Sequence, residues 1–202
     1  MKLYYAPGAC SLAPHIVLRE TELPFSAEKV DTKTHKTEHG VDYYTINPKG
    51  YVPLLELDSG ERLTEGPVIA QYIGDKAGRQ DLMPAPGSIA RYRVMEWQSY
   101  TTSELHKSFS ALFNTALDDS AKAIFKAGLR KKYEWVSGQL HDKEYLTGDT
   151  FSAADAYLFT ITNWAKAVKL DLSDYTDLQA FLKRVAARPA VREAMKAEGL
   201  VK

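Results

Sequence analysis

The sequence predicts an α/β fold for its first part and an all-α fold for the rest. Three observations support this division. Up to residue 80, apolar runs of strand length alternate with helical patterns. Beyond residue 88, helical periodicity continues almost to the end without a competing strand or hairpin signal. Between them, Met83-Pro84-Ala85-Pro86-Gly87-Ser88 contains two prolines and a glycine, which suit neither a helix interior nor a sheet interior. We therefore predict a first domain at residues 1–80, a linker at 81–88 and a helical domain at 89–202.

The first domain should contain βαβ, then a less regular segment, then ββα. Asp58-Ser59-Gly60 is a hairpin turn signal, so the strands on either side of it should pair antiparallel. Pro67 suits the first turn of a helix in which Ile69, Tyr72 and Ile73 share one face. The predicted strands are Lys2–Ala6, Ala27–Val30, Leu54–Leu57 and Arg62–Leu63, and the predicted helices are Ser11–Glu20 and one from Gly66 onward.

Short sequence patterns in the helical domain indicate where helices begin and which of their faces are apolar. Leu105, Phe109 and Leu112 form one apolar stripe of the first long helix. Ser152 and Asp155 have the spacing of a capping box, in which the carboxylate reaches back to the Ser152 N–H. Pro189 should begin a last short helix.

Composition excludes several classes of function. The chain has 202 residues with 26 basic and 26 acidic ones, so no long-range field would recruit nucleic acid or an anionic membrane. No apolar run has the length of a membrane span or a signal peptide, and a single cysteine cannot form an internal disulfide. The five histidines show no metal-binding pattern. We expect a cytoplasmic protein without a metal, a nucleic-acid partner or a membrane partner.

Cys10 is the only cysteine, and it lies where the first strand breaks at Pro7-Gly8 before the first helix. A thiol at a helix N-terminus is close to the positive end of the peptide dipoles and to unpaired N–H donors, which favour the thiolate. A lone cysteine is, however, more often a small buried hydrophobic residue. Cys10-Ser11-Leu12-Ala13 has no second thiol, so a reactive Cys10 would need an external thiol partner.

Two loops of the first domain carry candidate binding residues. A cis Val52-Pro53 bond would leave the Val52 N–H and C=O free to pair with an extended peptide, whereas a plain loop terminator is the alternative. Gly66 opens a helix whose N-terminus could receive a carboxylate. Glu65 could bind a ligand ammonium or simply complement the helix dipole.

A third group lies on the first long helix of the helical domain. Ser99, Ser103 and His106 follow i, i+4, i+7 spacing, which predicts one polar face, and Lys107 follows directly. A histidine among serines is usually solvated. We therefore expect this face to be functional only if it faces Cys10.

These segments together resemble the bacterial beta-class glutathione transferases along the whole chain. The segments of the first domain that carry the resemblance are Lys2-Leu3-Tyr4-Tyr5, Pro7-Gly8-Ala9-Cys10-Ser11-Leu12, Pro14-His15-Ile16, Asn47-Pro48-Lys49-Gly50, Val52-Pro53 and Leu63-Thr64-Glu65-Gly66. Those of the helical domain are Glu104-Leu105-His106-Lys107, Ala154-Asp155-Ala156-Tyr157-Leu158-Phe159 and Ala197-Glu198-Gly199-Leu200. The resemblance implies a thioredoxin-like first domain, an all-helical second domain, a homodimer, and glutathione bound in a cleft near Cys10.

The resemblance also implies a role for each matching residue. Cys10 would meet the glutathione sulfur, Val52 would pair through its backbone beside cis-Pro53, and Glu65 with Gly66 would hold the γ-glutamyl end. The family's helical contact segment corresponds to Ser103, Glu104, Leu105 and His106, with His106 and Lys107 facing the reacting sulfur or the electrophile pocket.

Two positions depart from the family pattern. The family commonly has a lysine near the glycine carboxylate of glutathione where this chain has His35, followed by Lys36. Since an imidazole is mostly neutral at pH 7, glutathione would bind more weakly or with more pH dependence unless Lys36 substitutes. Ser99 stands where relatives commonly have asparagine, which removes an amide donor.

The expected activity is detoxification, in which the glutathione thiolate attacks a small hydrophobic electrophile. One alternative is a thiol-disulfide oxidoreductase or peroxidase that works through a Cys10 mixed disulfide. Another is a non-enzymatic ligand-binding or partner-docking protein. Aromatic residues proposed for the electrophile pocket are Trp97, Tyr100, Phe109, Phe113 and Trp164.

Overall fold

The computed structural model describes residues 1–202 and divides them into two compact units. The first unit contains Met1–Met83 together with Ala187–Lys202, and the second contains Pro84–Ala186. The division after Met83 lies inside the predicted linker. The end of the chain differs from the prediction of one helical domain at 89–202, because the last helix packs in the first unit.

The first unit is built on a five-stranded mixed sheet. Its spatial order is β3-β2-β1-β4-β5, with β1 and β2 parallel and all other neighbours antiparallel. The predicted hairpin is confirmed, since Leu55 pairs with Leu63 across it. The short edge strand β3 has no apolar alternation and was not predicted. The strands are β1 (Lys2–Tyr5), β2 (Ser26–Asp31), β3 (Lys36–Thr37), β4 (Leu54–Glu56) and β5 (Arg62–Thr64).

Helices α1 (Leu12–Thr21) and α2 (Gly66–Lys76) pack against each other, and α2 also contacts β4 and β5. A short 3₁₀ helix lies at Tyr43–Thr45. The core of this unit holds fully buried Leu3, Ile16, Leu55 and Ile69, so the apolar faces of sheet and helices meet there. Each predicted helix and strand of the first domain is present within one or two residues of its expected bounds.

Helix α9 (Pro189–Ala197) packs against α1 in the first unit. Arg188, just before α9, makes a two-pronged ion pair with Glu20, at 2.7 Å and 2.9 Å. Just after α9, the Glu198 carboxylate lies 2.8 Å from His15 Nδ1, and both side chains are almost fully buried. These pairs anchor the chain end to α1, which explains why residues 187–202 do not belong with the preceding helices.

The second unit consists of helices α3 to α8. They are α3 (Ile89–Tyr100), α4 (Lys107–Phe113), α5 (Asp119–Gln139), α6 (Ala153–Thr162), α7 (Trp164–Ala167) and α8 (Thr176–Ala186). Between α3 and α4, Thr101–His106 forms a π-helical segment that joins them without a break. Every residue of α6 is buried, so this helix is the centre of the unit. No helix of the structure is both long and apolar enough to cross a membrane.

The predicted start of α6 is confirmed. The Asp155 carboxylate accepts hydrogen bonds from the Ser152 N–H at 2.8 Å and the Ser152 hydroxyl at 2.7 Å. It also accepts one from the Leu146 N–H at 2.8 Å. Asp155 therefore fixes the helix start and the preceding loop at the same time.

Candidate functional site

The loop that carries Cys10 is folded by its own backbone. The Ala9 N–H donates to the Ala6 carbonyl and the Leu12 N–H to the Ala9 carbonyl, each at 3.0 Å. The buried Ser11 hydroxyl bonds both the N–H and the carbonyl of Ala6. Cys10 is thus held in a tight turn two residues before the first residue of α1.

Of the two states that the sequence leaves open for Cys10, a thiolate and a buried thiol, the structure favours the thiol. Its Sγ donates to the Val52 carbonyl oxygen at 3.3 Å, and the side chain is half-buried. Burial raises the pKa of the Cys10 thiol to about 11, although hydrogen bonds from the backbone of Cys10 and Ser11 act in the opposite direction. The nearby Glu65 carboxylate raises the pKa further. In the ligand-free protein Cys10 is therefore a thiol, because loss of water outweighs the helix terminus.

The Val52 backbone lies beside this thiol. The Val52–Pro53 peptide bond is cis, and the Val52 N–H has no acceptor within the protein. The neighbouring Tyr51 carbonyl accepts from Asn47 Nδ2 at 2.6 Å and from Tyr43 Oη at 3.0 Å, which fixes the loop. A backbone donor is consequently available next to the Cys10 sulfur.

Glu65 has a backbone conformation that residues with side chains rarely adopt, with φ of +68°. It lies at the N-cap of α2, but its side chain does not cap the helix. Instead its carboxylate pairs with Lys49 Nζ at 3.0 Å, and the same ammonium donates to the Thr64 hydroxyl at 3.0 Å. Strained backbone of this kind occurs often where a side chain is aimed at a ligand.

Gly66 begins α2 in open surroundings. A Cβ at this position would meet only Pro53 Cγ, at 3.9 Å, so the protein's own packing does not require a glycine. Space above the helix N-terminus remains free for a ligand group. Cys10, Val52, Pro53, Glu65 and Gly66 therefore lie on one region of the first unit.

His35 lies just before β3, with φ of +52°. Its ring stacks on the Tyr44 ring with centroids 4.5 Å apart, and its Nδ1 is buried without a hydrogen-bond partner. A Cβ on Gly50 would come within 2.7 Å of Tyr44 and 3.2 Å of His35, so glycine lets these two rings pack against the loop. Lys36 is exposed on the edge strand.

The predicted polar residues of the helical unit differ in their exposure. Ser99 and Ser103 are exposed, whereas His106 is half-buried with Nδ1 2.7 Å from Tyr157 Oη. Between Ser99 and Lys107 the helix contains the π-helical segment, in which the Lys107 N–H bonds the Thr102 carbonyl five residues back. That pattern rotates successive side chains differently from an α-helix.

The remaining residues of this segment have separate surroundings. Leu105 is fully buried, Lys107 is exposed, and the Glu104 carboxylate pairs with Lys132 at 3.0 Å. That ion pair holds the pKa of Glu104 below its usual value. Sequence reasoning assigned no role to Lys132, Tyr157 or Lys49; Tyr157 and Lys49 occur in the resembling segments, while nothing in the sequence pointed to Lys132.

The aromatic residues proposed for one pocket fall into two groups within the helical unit. Trp97 and Tyr100 pack with Trp135, at centroid distances of 5.3 Å and 4.7 Å. Phe109 and Phe113 instead meet the ring of Trp164 edge-on, at 5.9 Å and 5.7 Å. The Trp164 ring also lies 4.8 Å from the His106 ring. Only this second group contains a ring, that of Trp164, which contacts a predicted functional residue.

Comparison with known families gives two matches. The family model described as the glutathione S-transferase N-terminal domain matches residues 8–76, and the one described as the C-terminal domain matches residues 100–189. The structure contains no group of three or more His, Cys, Asp or Glu side chains placed to hold a metal ion.

Individual relatives are similar over their full length. Glutathione S-transferase GstA of Escherichia coli O157:H7 is 46% identical over 99% of this chain and 100% of its own. A sphingomonad glutathione S-transferase complexed with glutathione is 46% identical with a TM-score of 0.95, covering 100% of both chains. A bacterial beta class enzyme from Sphingomonas chungbukensis is 47% identical with a TM-score of 0.95, again covering 100% of both.

Proposed function

This chain belongs to the glutathione S-transferase family, and we propose that it joins the thiolate of glutathione to small hydrophobic electrophiles. In this reaction the glutathione thiol loses its proton, and the thiolate forms a carbon–sulfur bond with the electrophile. A leaving group departs with the electron pair of the broken bond, or the pair moves onto the acceptor in an addition. The tripeptide is the co-substrate, and the first unit, which has the thioredoxin-like fold of the family, would bind it.

The observation that carries this proposal is the pairing of the Cys10 thiol with the Val52 carbonyl. A thiol whose pKa is raised to about 11 is a hydrogen-bond donor at neutral pH. Turned toward a bound glutathione sulfur, it would stabilise the thiolate form of that sulfur and lower its pKa. Cys10 thus donates a hydrogen bond to the glutathione sulfur and does not act as a nucleophile.

The rest of the tripeptide would use the neighbouring groups. The free Val52 N–H and the Val52 carbonyl would pair with the cysteinyl backbone, beside Pro53. The Glu65 carboxylate would bind the γ-glutamyl ammonium, and the backbone at Gly66 would receive the γ-glutamyl carboxylate at the N-terminus of α2. His35 or Lys36 would meet the glycine carboxylate.

From the helical unit, we propose by family resemblance that Ser99, Ser103, Glu104 and Leu105 contribute to glutathione binding. His106 and Lys107 would assist at the reacting sulfur or the electrophile. Phe113 is 48% exposed beside Trp164, so these rings offer apolar surface to an electrophile. We further propose that the protein is cytoplasmic and that it forms a homodimer. Sedimentation at working concentration would test the dimer through its mass.

Substitution of Cys10 by alanine and by serine tests its role. We expect Cys10→Ala to lower kcat for an activated aryl chloride about 10- to 100-fold, since a hydrogen bond to a charged group contributes about 1.5–3 kcal/mol. Cys10→Ser keeps a donor and should retain more activity than Cys10→Ala. Equal activity of wild type and Cys10→Ala would show that the sulfur has no role.

The oxidoreductase alternative predicts a different result. A mixed disulfide requires the sulfur itself, so serine and alanine variants would then be equally inactive in disulfide reduction. Intact mass of wild-type protein would also show an adduct of glutathione mass that reductant removes. The binding-protein alternative would gain support if calorimetry detected no glutathione binding at millimolar concentration.

A further inference from the structure

The helical stretch from Ile89 to Phe113 is continuous, but its central part, Thr101–His106, is π-helical. Such segments are rare because their i→i+5 hydrogen bonds are less favourable than those of an α-helix, and they occur often at functional sites. They persist where neighbouring groups satisfy and hold the displaced backbone. Here the neighbour that contacts the displaced backbone is Lys132.

Lys132, on α5, uses all three donors of its ammonium on Glu104, in the middle of this segment, and on Ser108, at the start of α4. Its Nζ lies 2.9 Å from the Glu104 carbonyl oxygen, 3.0 Å from Ser108 Oγ and 3.0 Å from a Glu104 carboxylate oxygen. The Ser108 hydroxyl in turn donates to the same Glu104 carbonyl at 2.6 Å. One partly buried side chain therefore ties the π-helical backbone to α5.

The segment ends at His106, two residues after Glu104. His106 Nδ1 lies 2.7 Å from Tyr157 Oη, and the Thr102 hydroxyl lies 3.4 Å from the same oxygen. The π-helical segment thus presents two side chains to Tyr157, and the His106 ring meets Trp164 edge-on. A change in the helical path at Glu104 would redirect His106 away from these contacts.

We propose that Lys132 is a positioning residue, which holds the π-helical segment through the Glu104 carbonyl and thereby fixes the direction of the His106 side chain. This inference rests on the proposed transferase function only for the consequence in catalysis. The effect on His106 itself is independent of any ligand.

The test compares Lys132→Met with Lys131→Met. Lys131 precedes Lys132 on α5 and is exposed, so its removal controls for lost charge. The first measurement is NMR of protein with ¹⁵N-labelled histidine, with the His106 signals assigned by their loss in His106→Asn. We expect Lys132→Met to shift the His106 ring signals and Lys131→Met to leave them in place.

The second measurement is conjugation kinetics. We expect kcat to fall about tenfold or more in Lys132→Met, since small displacements of a group at the reacting centre cost this much, with KM for glutathione changing less. The double variant Lys132→Met/His106→Asn should be no slower than His106→Asn alone. Lys132→Arg keeps the charge and several donors, so it should restore part of kcat. This variant also controls for misfolding of Lys132→Met.

Two results would overturn the proposal. One is His106 ring signals in Lys132→Met that match those of wild type. The other is displaced His106 signals with an unchanged kcat, which would overturn the role of Lys132 in catalysis while leaving its effect on His106 in place. Failure of the proposed function is visible separately, since wild-type protein would then bind no glutathione, and the NMR comparison would still decide whether Lys132 positions His106.

Discussion

Cys10 shows how burial and helix position compete for one side chain. The sequence places it before a helix, where dipole and free N–H groups favour a thiolate. In the structure its pKa is raised to about 11, mainly because water is excluded. The distinction is chemical, since a thiol donates a hydrogen bond whereas a thiolate accepts one and attacks.

The pH dependence of Cys10 alkylation measures this state. Because the pKa lies above neutral pH, about one molecule in ten thousand carries the thiolate at pH 7, and the fraction rises as pH increases toward 11. We expect the iodoacetamide rate constant of the folded protein to keep rising beyond pH 9.5. The same cysteine in urea should reach half of its plateau rate at about pH 8.5, the ordinary thiol pKa, and should level off about one pH unit higher. A plateau of the folded protein below pH 8 would contradict the raised pKa.

At the scale of single elements, the start of α6 depends on a carboxylate that serves two backbone segments. Removal of Asp155 leaves the buried N–H groups of Leu146 and Ser152 without an acceptor. We expect Asp155→Ala to lower the free energy of unfolding by about 2–4 kcal/mol, since each buried unsatisfied donor costs about 1–3 kcal/mol. Ser152→Ala should cost about 1 kcal/mol, because it removes only the hydroxyl contribution to the cap.

Urea unfolding monitored by tryptophan fluorescence gives both values. Asp119→Ala is the matched control, because Asp119 is an exposed acid in the first turn of α5. It should cost only a few tenths of a kcal/mol through its interaction with the helix dipole. If Asp155→Ala were as stable as Asp119→Ala, the carboxylate would not be holding the helix start.

Local signals in the sequence predicted most elements. The turn Asp58-Ser59-Gly60 and the periodicity after Gly66 each depend on residues close in the chain, and the corresponding hairpin and helix are present. The π-helical segment at Thr101–His106 could not be predicted, because Lys132, which holds it, is remote in the sequence. The same limit applies to Cys10, whose pKa depends on burial by residues elsewhere in the chain.

At the scale of the whole molecule, the last helix of the chain packs against its first helix. The predicted boundary after residue 80 rests on local breakers, Pro84, Pro86 and Gly87, and such breakers cannot show which unit the last helix joins. The ion pair of Arg188 with Glu20 and the hydrogen bond between Glu198 and His15 decide that, and they join residues 168 and 183 positions apart. The first unit therefore becomes complete only when residues 187–202 are present.

Glu198 contributes most to holding residues 187–202 in the first unit. One of its carboxylate oxygens pairs with His15, and the other accepts the Gly8 N–H at 2.8 Å, two residues before Cys10. The Leu200 side chain would lie 3.3 Å from a Cβ on Gly8, so the segment after Glu198 also covers this loop. A buried donor that loses its hydrogen-bond acceptor costs about 1–3 kcal/mol.

We therefore expect Glu198→Ala to lower the free energy of unfolding by about 2 kcal/mol or more, measured by urea denaturation at pH 7. Glu193→Ala, an exposed position of α9, should change it by less than about 0.5 kcal/mol. Because the loop before Cys10 loses the hydrogen bond from the Gly8 N–H to Glu198, Cys10 in Glu198→Ala should also be alkylated faster than in Glu193→Ala at the same pH. Equal stability and equal alkylation rates in the two variants would mean that the chain end covers the first unit without supporting it.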